Sequence, residues 1–329
     1  MLKSQHNSMH TELLSEEQVE KAASLLKKGE LVAFPTETVY GLGAPLFYPE
    51  AIKKIFSTKG RAADNPLIVH LSSLEQLERV AIEVPEEFFT LSKIYFPGPL
   101  TMVLKRHPGV PEIVSGGLLT VALRMPSHPL ARALIAAVGQ PLVAPSANLS
   151  GKPSATTAAH VLEDFSGKIS AVLDGGATTF GIESTVLSLC DPNHPVLLRP
   201  GTIGREELEK VLNRKIAEVT KVKEGEKVLS PGMKYRHYAP HAHVKLFFLW
   251  EELEQYLSEA PRLKRILLSA LDLSKNFDNC QSLPLSSQGL YSHFRDADRT
   301  GCSEILVFCD SKTLLHAGLM NRLQRASER

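Results

Sequence analysis

The stretch Arg214-Lys215-Ile216-Ala217-Glu218-Val219-Thr220-Lys221-Val222-Lys223-Glu224-Gly225-Glu226-Lys227-Val228-Leu229-Ser230-Pro231-Gly232 divides the chain. It is rich in Lys and Glu, has no long apolar run and closes on a Ser-Pro-Gly turn, so it reads as a linker. Before it, short apolar runs predict strands at 31–34, 67–71, 101–104, 120–123, 142–144, 170–173, 185–189 and 196–198. Helical spacing predicts helices at 49–57, 74–81, 86–94, 129–138, 158–165 and 205–212. Ser15 ahead of Glu16, Glu17 and Gln18 marks a further helix start, and Gly29 a stop. Some of these strands follow one another with no helix between, which favours a twisted mixed α/β sheet over a strictly doubly wound one. After the linker the alternation is regular: strand 244–249, helix 251–257, strand 265–269, helix 288–296, strand 304–308, helix 317–325. That order predicts a smaller parallel, Rossmann-like α/β domain. No Gly-x-Gly-x-x-Gly follows its first strand, so dinucleotide binding has no support there.

The chain has 329 residues, 43% of them hydrophobic and 22% charged, which fits about two globular domains. Lys plus Arg is 37 and Asp plus Glu is 36, a formal net charge of +1. Up to Glu218 there are 21 basic and 23 acidic residues, and beyond it 16 and 13. Neither part binds polyanions by bulk charge, so phosphate must be handled by placed residues. No run approaches the length of a membrane span, and Met1 to His10 lack the apolar core of a signal peptide. Cys190, Cys280, Cys302 and Cys309 form no Cys-x-x-Cys pair. A disulfide framework is therefore not expected, and a reducing cytoplasm fits.

Six polar segments sit after or beside short strands, where α/β folds build sites. They are 35–43 (Pro-Thr-Glu-Thr-Val-Tyr-Gly-Leu-Gly), 53–70 (with Lys59-Gly60-Arg61 and Asn65-Pro66-Leu67-Ile68-Val69-His70), 124–126, 144–154, 174–185 and 198–201. The two glycines of the first would let backbone approach a ligand closely, although the same residues also make an ordinary capped turn. Lys59 and Arg61 flank a glycine on an irregular loop, where two cations could converge on one anion. Arg124 ends a predicted strand and is either half of a structural ion pair or a carboxylate clamp. Ser146, Asn148, Ser150 and Ser154 offer hydroxyl and amide groups on a Pro/Gly loop. A Gly-x-Ser-x-Gly elbow and a Walker phosphate loop are both absent. His237, His241 and His243 match no zinc spacing and read as junction contacts.

In this order the segments resemble the long form of the threonylcarbamoyl-AMP synthase family, a YrdC-like catalytic domain joined to a smaller Rossmann-like domain. The resemblance rests on Lys59-Gly60-Arg61 with Ser146-Ala147-Asn148 far downstream. Phe96-Pro97-Gly98-Pro99-Leu100-Thr101, Leu198-Arg199-Pro200-Gly201 and the linker motif from Pro231 to Pro240 agree. It implies a catalytic domain over 11–213, a linker or lid over 214–240 and a C-terminal domain over 241–329. It also implies a nucleotidyltransferase that makes threonylcarbamoyl-AMP and pyrophosphate from L-threonine, bicarbonate or CO2, and ATP. The product would go to a separate tRNA threonylcarbamoyl transferase complex, which modifies adenosine 37 of tRNAs reading codons that begin with A.

Carried over residue by residue, Lys59 and Arg61 would be catalytic. Arg61, Asn65, Thr120, Ser146, Asn148, Ser154, Arg199 and Tyr235 would hold ATP. Thr38, His70, Arg124 and Ser184 would hold threonine. Mg2+ would come with the ATP phosphates, with no metal site of the protein's own. The C-terminal domain matches the family more loosely, through Phe294-Arg295-Asp296-Ala297-Asp298 and Leu319-Met320-Asn321-Arg322. The alternative is a YrdC-like RNA-binding module. The neutral charge balance weighs against it and leaves at most a weak RNA contact. A carbamoyl-adenylate enzyme of the hydrogenase-maturation kind would need acylphosphatase and zinc-finger-like modules, for which this sequence has no segment.

Overall fold

A computed structural model describes residues 10–219, 238–259, 263–271 and 280–328. Tyr235, His237 and most of the linker, with nearly all of the leader, lie outside the described residues. Among the described residues, strands form one sheet of twelve and one of four.

The larger sheet begins at Glu12–Leu14 and runs through Ala171–Leu173, Val32–Phe34, Gly41–Pro45, Leu142–Val143 and Ile68–His70. It continues through Thr120–Arg124, Leu100–Arg106, Thr185–Ser188, Val196–Arg199 and Ala217–Glu218, with Ala81–Ile82 pairing beside Leu100–Arg106. Parallel and antiparallel ladders both occur in it, as expected of a mixed sheet. Ala217–Glu218 corrects the linker's start: it pairs parallel with Val196 and Leu197. Both of its residues are exposed, so an edge strand of this kind carries no apolar signal.

Helices cover both faces of this sheet. Pro129–Val138 starts with Pro in its first turn and stops at Gly139, whose φ of 81° ends the helix. It packs with Val19–Lys27 over Leu14, Val32, Phe34 and Leu173. The other face buries Tyr40, Leu42, Ile52, Phe88, Leu123, Phe165 and Leu187 in the main core. The segment expected as a helix over 74–81 is a 3-10 helix, Leu74–Arg79, followed by the short strand Ala81–Ile82.

The smaller sheet is all parallel, in the order His243–Phe247, Glu304–Phe308, Arg265–Ser269, Cys280–Pro284. The last of these strands is additional to the expected alternation. Trp250–Glu259, Ser287–Arg299 and Ala317–Ser327 flank it. No helix among the described residues is long and apolar enough to cross a membrane.

The two parts pack closely. Val39 and Ile182 of the first join the core of the second, with Tyr291, Phe294 and Leu323. A Cβ on Gly181 would stand 2.4 Å from Gln288 Cα, and one on Gly318 would stand 2.4 Å from the Gly201 carbonyl oxygen. Only glycine permits such backbone contact.

Candidate active site

The strand Val32–Phe34 stops at Pro35, and the chain returns antiparallel as Gly41–Pro45. The intervening loop is held by Thr36, whose hydroxyl donates to the Val39 carbonyl at 2.6 Å and accepts from the Thr38 and Val39 amides. Gly43 does not serve ligand approach. A Cβ there would meet the Phe34 ring at 2.9 Å, so the glycine is required by strand packing.

The strands Ile68–His70 and Thr120–Arg124 run parallel, with His70 opposite Arg124. A cleft of about 570 Å³, open to solvent, lies beside these residues. Of the expected site residues, Thr38, Arg61, His70, Arg124, Ser146, Ser184 and Arg199 line it. Seven residues from widely separated segments thus meet on one surface.

Of its two readings, Arg124 is seen here as half of a buried ion pair. Its Nη1 donates to Glu37 Oε1 at 3.2 Å, and both side chains are buried. Its other guanidinium nitrogens make no hydrogen bond to the described residues, so part of the fork remains for a ligand. Glu37 is fixed in turn by the Ser127 amide at 3.0 Å. Burial lowers the Arg124 pKa, opposed by Glu37 and reinforced by the nearby Arg199 cation. Two guanidiniums that feel each other in a buried cleft favour an anion between them.

His70 lies 3.1 Å through Nδ1 from the Ile68 carbonyl. Burial and then Arg124 hold its pKa well below the usual histidine range. The ring is therefore neutral, with Nδ1–H donating to that carbonyl and Nε2 an acceptor. Ser184 Oγ is 2.7 Å from Thr101 Oγ1. Arg199 donates to the Ser184 carbonyl from Nε and Nη2, at 3.2 and 3.0 Å.

Lys59 and Arg61 are held by different carbonyl groups. The helix Pro49–Lys59 ends on Gly60, in the left-handed region at φ 62°. Lys59 is 3% exposed and donates to the carbonyls of Ser146 and Asn148. Arg61 lines the cleft while donating to the Asn65 and Pro66 carbonyls at 3.3 and 2.9 Å. Burial, then Arg61, drives the Lys59 pKa well below the usual lysine range.

Asn65, Thr120, Asn148 and Ser154 are not on the cleft wall. Asn65 and Asn148 each bury an amide oxygen that has no hydrogen-bond partner among the described residues. Ser154 donates to Glu183 Oε1 at 2.5 Å. Thr120 starts the strand that Arg124 ends, so it lies at the opposite end of it.

Three residues assigned no role from sequence are important here: Glu37, Glu183 and Tyr238. Each lies inside a segment already singled out, but nothing local marks its partner. Glu183 and Tyr238 both line the cleft. Tyr238 has φ 65°, stacks on Tyr291 at 5.7 Å between ring centroids and lies under the Arg322 guanidinium. His243 opens a strand, and the His241 amide donates to Asp298. No cluster of three His, Cys, Asp or Glu residues that could hold a metal occurs among the described residues.

Residues 24–201 match a family model described as telomere recombination, and residues 203–328 match one described as threonylcarbamoyl-AMP synthase, C-terminal domain. The chain is 45% identical to the threonylcarbamoyl-AMP synthase of Pyrococcus abyssi, over 96% of each chain. It is 43% identical to that of Bacillus subtilis, over 94% of this chain and 93% of the other. The crystal structure of P. abyssi Sua5 complexed with L-threonine superposes with a TM-score of 0.88 at 43% identity, covering 96% of this chain and 98% of that one.

Proposed function

Because this chain belongs to the threonylcarbamoyl-AMP synthase family in its two-domain form, we propose that it acts in the cytoplasm as a nucleotidyltransferase joining L-threonine, bicarbonate or CO2, and ATP. The products are L-threonylcarbamoyl-adenylate, pyrophosphate and, from bicarbonate, water. The adenylate then supplies a tRNA threonylcarbamoyl transferase complex.

The observation that carries this reading is the partly committed Arg124 fork beside Arg61 and Arg199 on one cleft. One guanidinium suits an amino-acid carboxylate and the other two suit phosphate. Glu37 presets the Arg124 plane, which lowers the entropy lost when substrate docks. Neutral His70 offers Nε2 to a hydroxyl or amine hydrogen of threonine, and Ser184 adds a second hydroxyl contact.

The threonine amine attacks CO2, forming a C–N bond and losing a proton to give a carbamate. A carbamate oxygen then attacks the α-phosphorus. An O–P bond forms, the bond to the bridging oxygen breaks, and pyrophosphate leaves with that electron pair. The protein needs to position the reactants and neutralise charge, which explains a site without a nucleophilic serine. Bound substrates that fill the cleft would displace water from around the short-lived carbamate.

Glu183, the carboxylate on the cleft wall among the described residues, is already engaged by Arg322, and the neighbouring Glu37 by Arg124. Mg2+ therefore fits as a companion of the ATP phosphates, where it would add charge neutralisation. The test is incubation with ATP, Mg2+, threonine and bicarbonate, followed by mass spectrometry. Threonylcarbamoyl-adenylate is expected, and pyrophosphate should fall when threonine is omitted. Pyrophosphate release indifferent to threonine would overturn the reading.

A further inference from the structure

We propose that Arg322, on the last helix of the C-terminal domain, is a positioning residue for the synthase site, acting through Glu183 and the backbone on either side of it. The proposal rests on the synthase reading above.

Arg322 has no solvent exposure. Its Nε donates to Glu183 Oε2 at 2.7 Å and its Nη2 to the Glu183 carbonyl at 3.0 Å. Its Nη1 donates to the Pro200 carbonyl at 2.8 Å. These two carbonyls are not arbitrary. One belongs to the peptide that leads into Ser184, and the other follows Arg199. Ser184 and Arg199 are themselves joined, since Arg199 donates to the Ser184 carbonyl. One guanidinium from the second domain therefore grips both chain segments that deliver these two side chains to the cleft.

The carboxylate does a second job. Glu183 Oε1 accepts from Ser154, and Oε2 from Tyr291 at 3.0 Å as well as from Arg322. A carboxylate buried among these groups is costly unless a cation compensates it. Arg322 supplies direct compensation in the form of an ion pair, with the Arg199 charge acting at longer range. Without Arg322, Glu183 would have to take a proton or draw in water, and either change alters its bonds to Ser154.

Simple docking of two domains does not require this placement. The ion pair Arg295–Asp164 already ties the same two domains at 2.9 Å, away from the cleft. Arg322 differs because its partner lines the cleft. The contact also has no slack, because Gly318, one helical turn earlier, touches the Gly201 backbone. A displacement of the helix is transmitted directly to the loop after Arg199.

The experiment uses the full chain and the product-forming assay on the wild type, Arg322→Met, Arg322→Lys, and Arg322→Met with Glu183→Gln. Wild-type protein that makes no threonylcarbamoyl-adenylate would remove the synthase reading itself, independently of Arg322. With an active wild type, Arg322→Met is expected to raise the KM for threonine and ATP about tenfold or more. Adding Glu183→Gln removes the stranded charge and is expected to recover several-fold of that loss. Wild-type KM values in Arg322→Met, or no recovery in the double variant, would overturn the proposal. Should Arg322→Met fail to fold, Arg322→Lys is decisive: it keeps the charge but cannot span the two carbonyls, so a raised KM supports the proposal and an unchanged one overturns it.

Discussion

Arg124 and Glu37 form a buried ion pair at 3.2 Å, at side-chain exposures of 3% and 4%, beside a cleft that a substrate carboxylate can enter. Breaking such a pair from one side strands the other charge and costs about 3–5 kcal/mol. Glu37→Ala should therefore lower the thermal midpoint. It should also shrink the rise in midpoint that L-threonine produces, because Arg124 loses the partner that presets its plane for the ligand carboxylate. Arg124→Ala should abolish that rise. A threonine-induced shift of wild-type size in Arg124→Ala would show that the carboxylate binds elsewhere.

His70 gives a pH prediction of definite sign. Its folded pKa lies well below the usual 6.5, through burial and then Arg124. Below about 6.5 the unfolded chain holds a proton that the folded chain refuses, so stability is complete above that pH and is lost as pH falls. The slope for one such group is at most about 1.4 kcal/mol per pH unit. Thermal midpoints of wild type and His70→Asn, measured from about pH 7.5 to about pH 5.5, should show a steeper fall in the wild type. His128, His160 and His293 also have lowered pKa values, but they are common to both proteins and cancel. Parallel curves would assign the acid sensitivity to those residues instead.

The sequence was most legible where local rules and tertiary packing agree. Pro129–Val138 has Pro at its start and Gly at its stop, and Glu304–Phe308 carries the apolar run Ile305 to Phe308, so both are legible in the sequence. The segment 35–43 reads as a turn because Thr and Gly are turn residues, yet Gly41 opens the strand Gly41–Pro45. There the Phe34 ring occupies the space a side chain would need. Glu12–Leu14 and Ala217–Glu218 exist through register with neighbouring strands and have too few residues to show a period. The site followed the same division. Arg124, Ser184 and Arg199 lie at or beside the ends of apolar strands and were visible there. The pair Glu183–Arg322 spans 139 residues and leaves no spacing to read.

Lys59 and Arg61 should separate in their effects although one residue lies between them. Lys59→Met removes a donor from the Ser146 and Asn148 carbonyls; Ser146 keeps the Asn148 amide as a partner at 3.0 Å, so the main loss is at the Asn148 carbonyl, about 1–3 kcal/mol. The expected result is lower stability together with a higher KM for ATP, since Ser146 lines the cleft. Arg61→Ala acts from the cleft wall and should slow adenylation with a smaller loss of stability. Thermal melts alongside steady-state kinetics distinguish the two. A purely kinetic defect in Lys59→Met would mean that its ammonium leaves the carbonyls to meet phosphate.

Gly318 provides a test of how firmly the second domain holds the first. A single methyl group there would stand 2.4 Å from the Gly201 carbonyl oxygen, and the neighbouring obstacles are backbone atoms that cannot rotate away. Gly318→Ala must therefore push the helix Ala317–Ser327 off the loop, at a cost of about 1–3 kcal/mol. The same helix carries Arg322, four residues on, so the displacement lengthens its bonds to Glu183 and Pro200. The expected outcome is a lower thermal midpoint accompanied by a higher KM for threonine and ATP. A stability loss with unchanged KM values would show that the helix can back away without moving Ser184 or Arg199, and that the site does not depend on the domain contact.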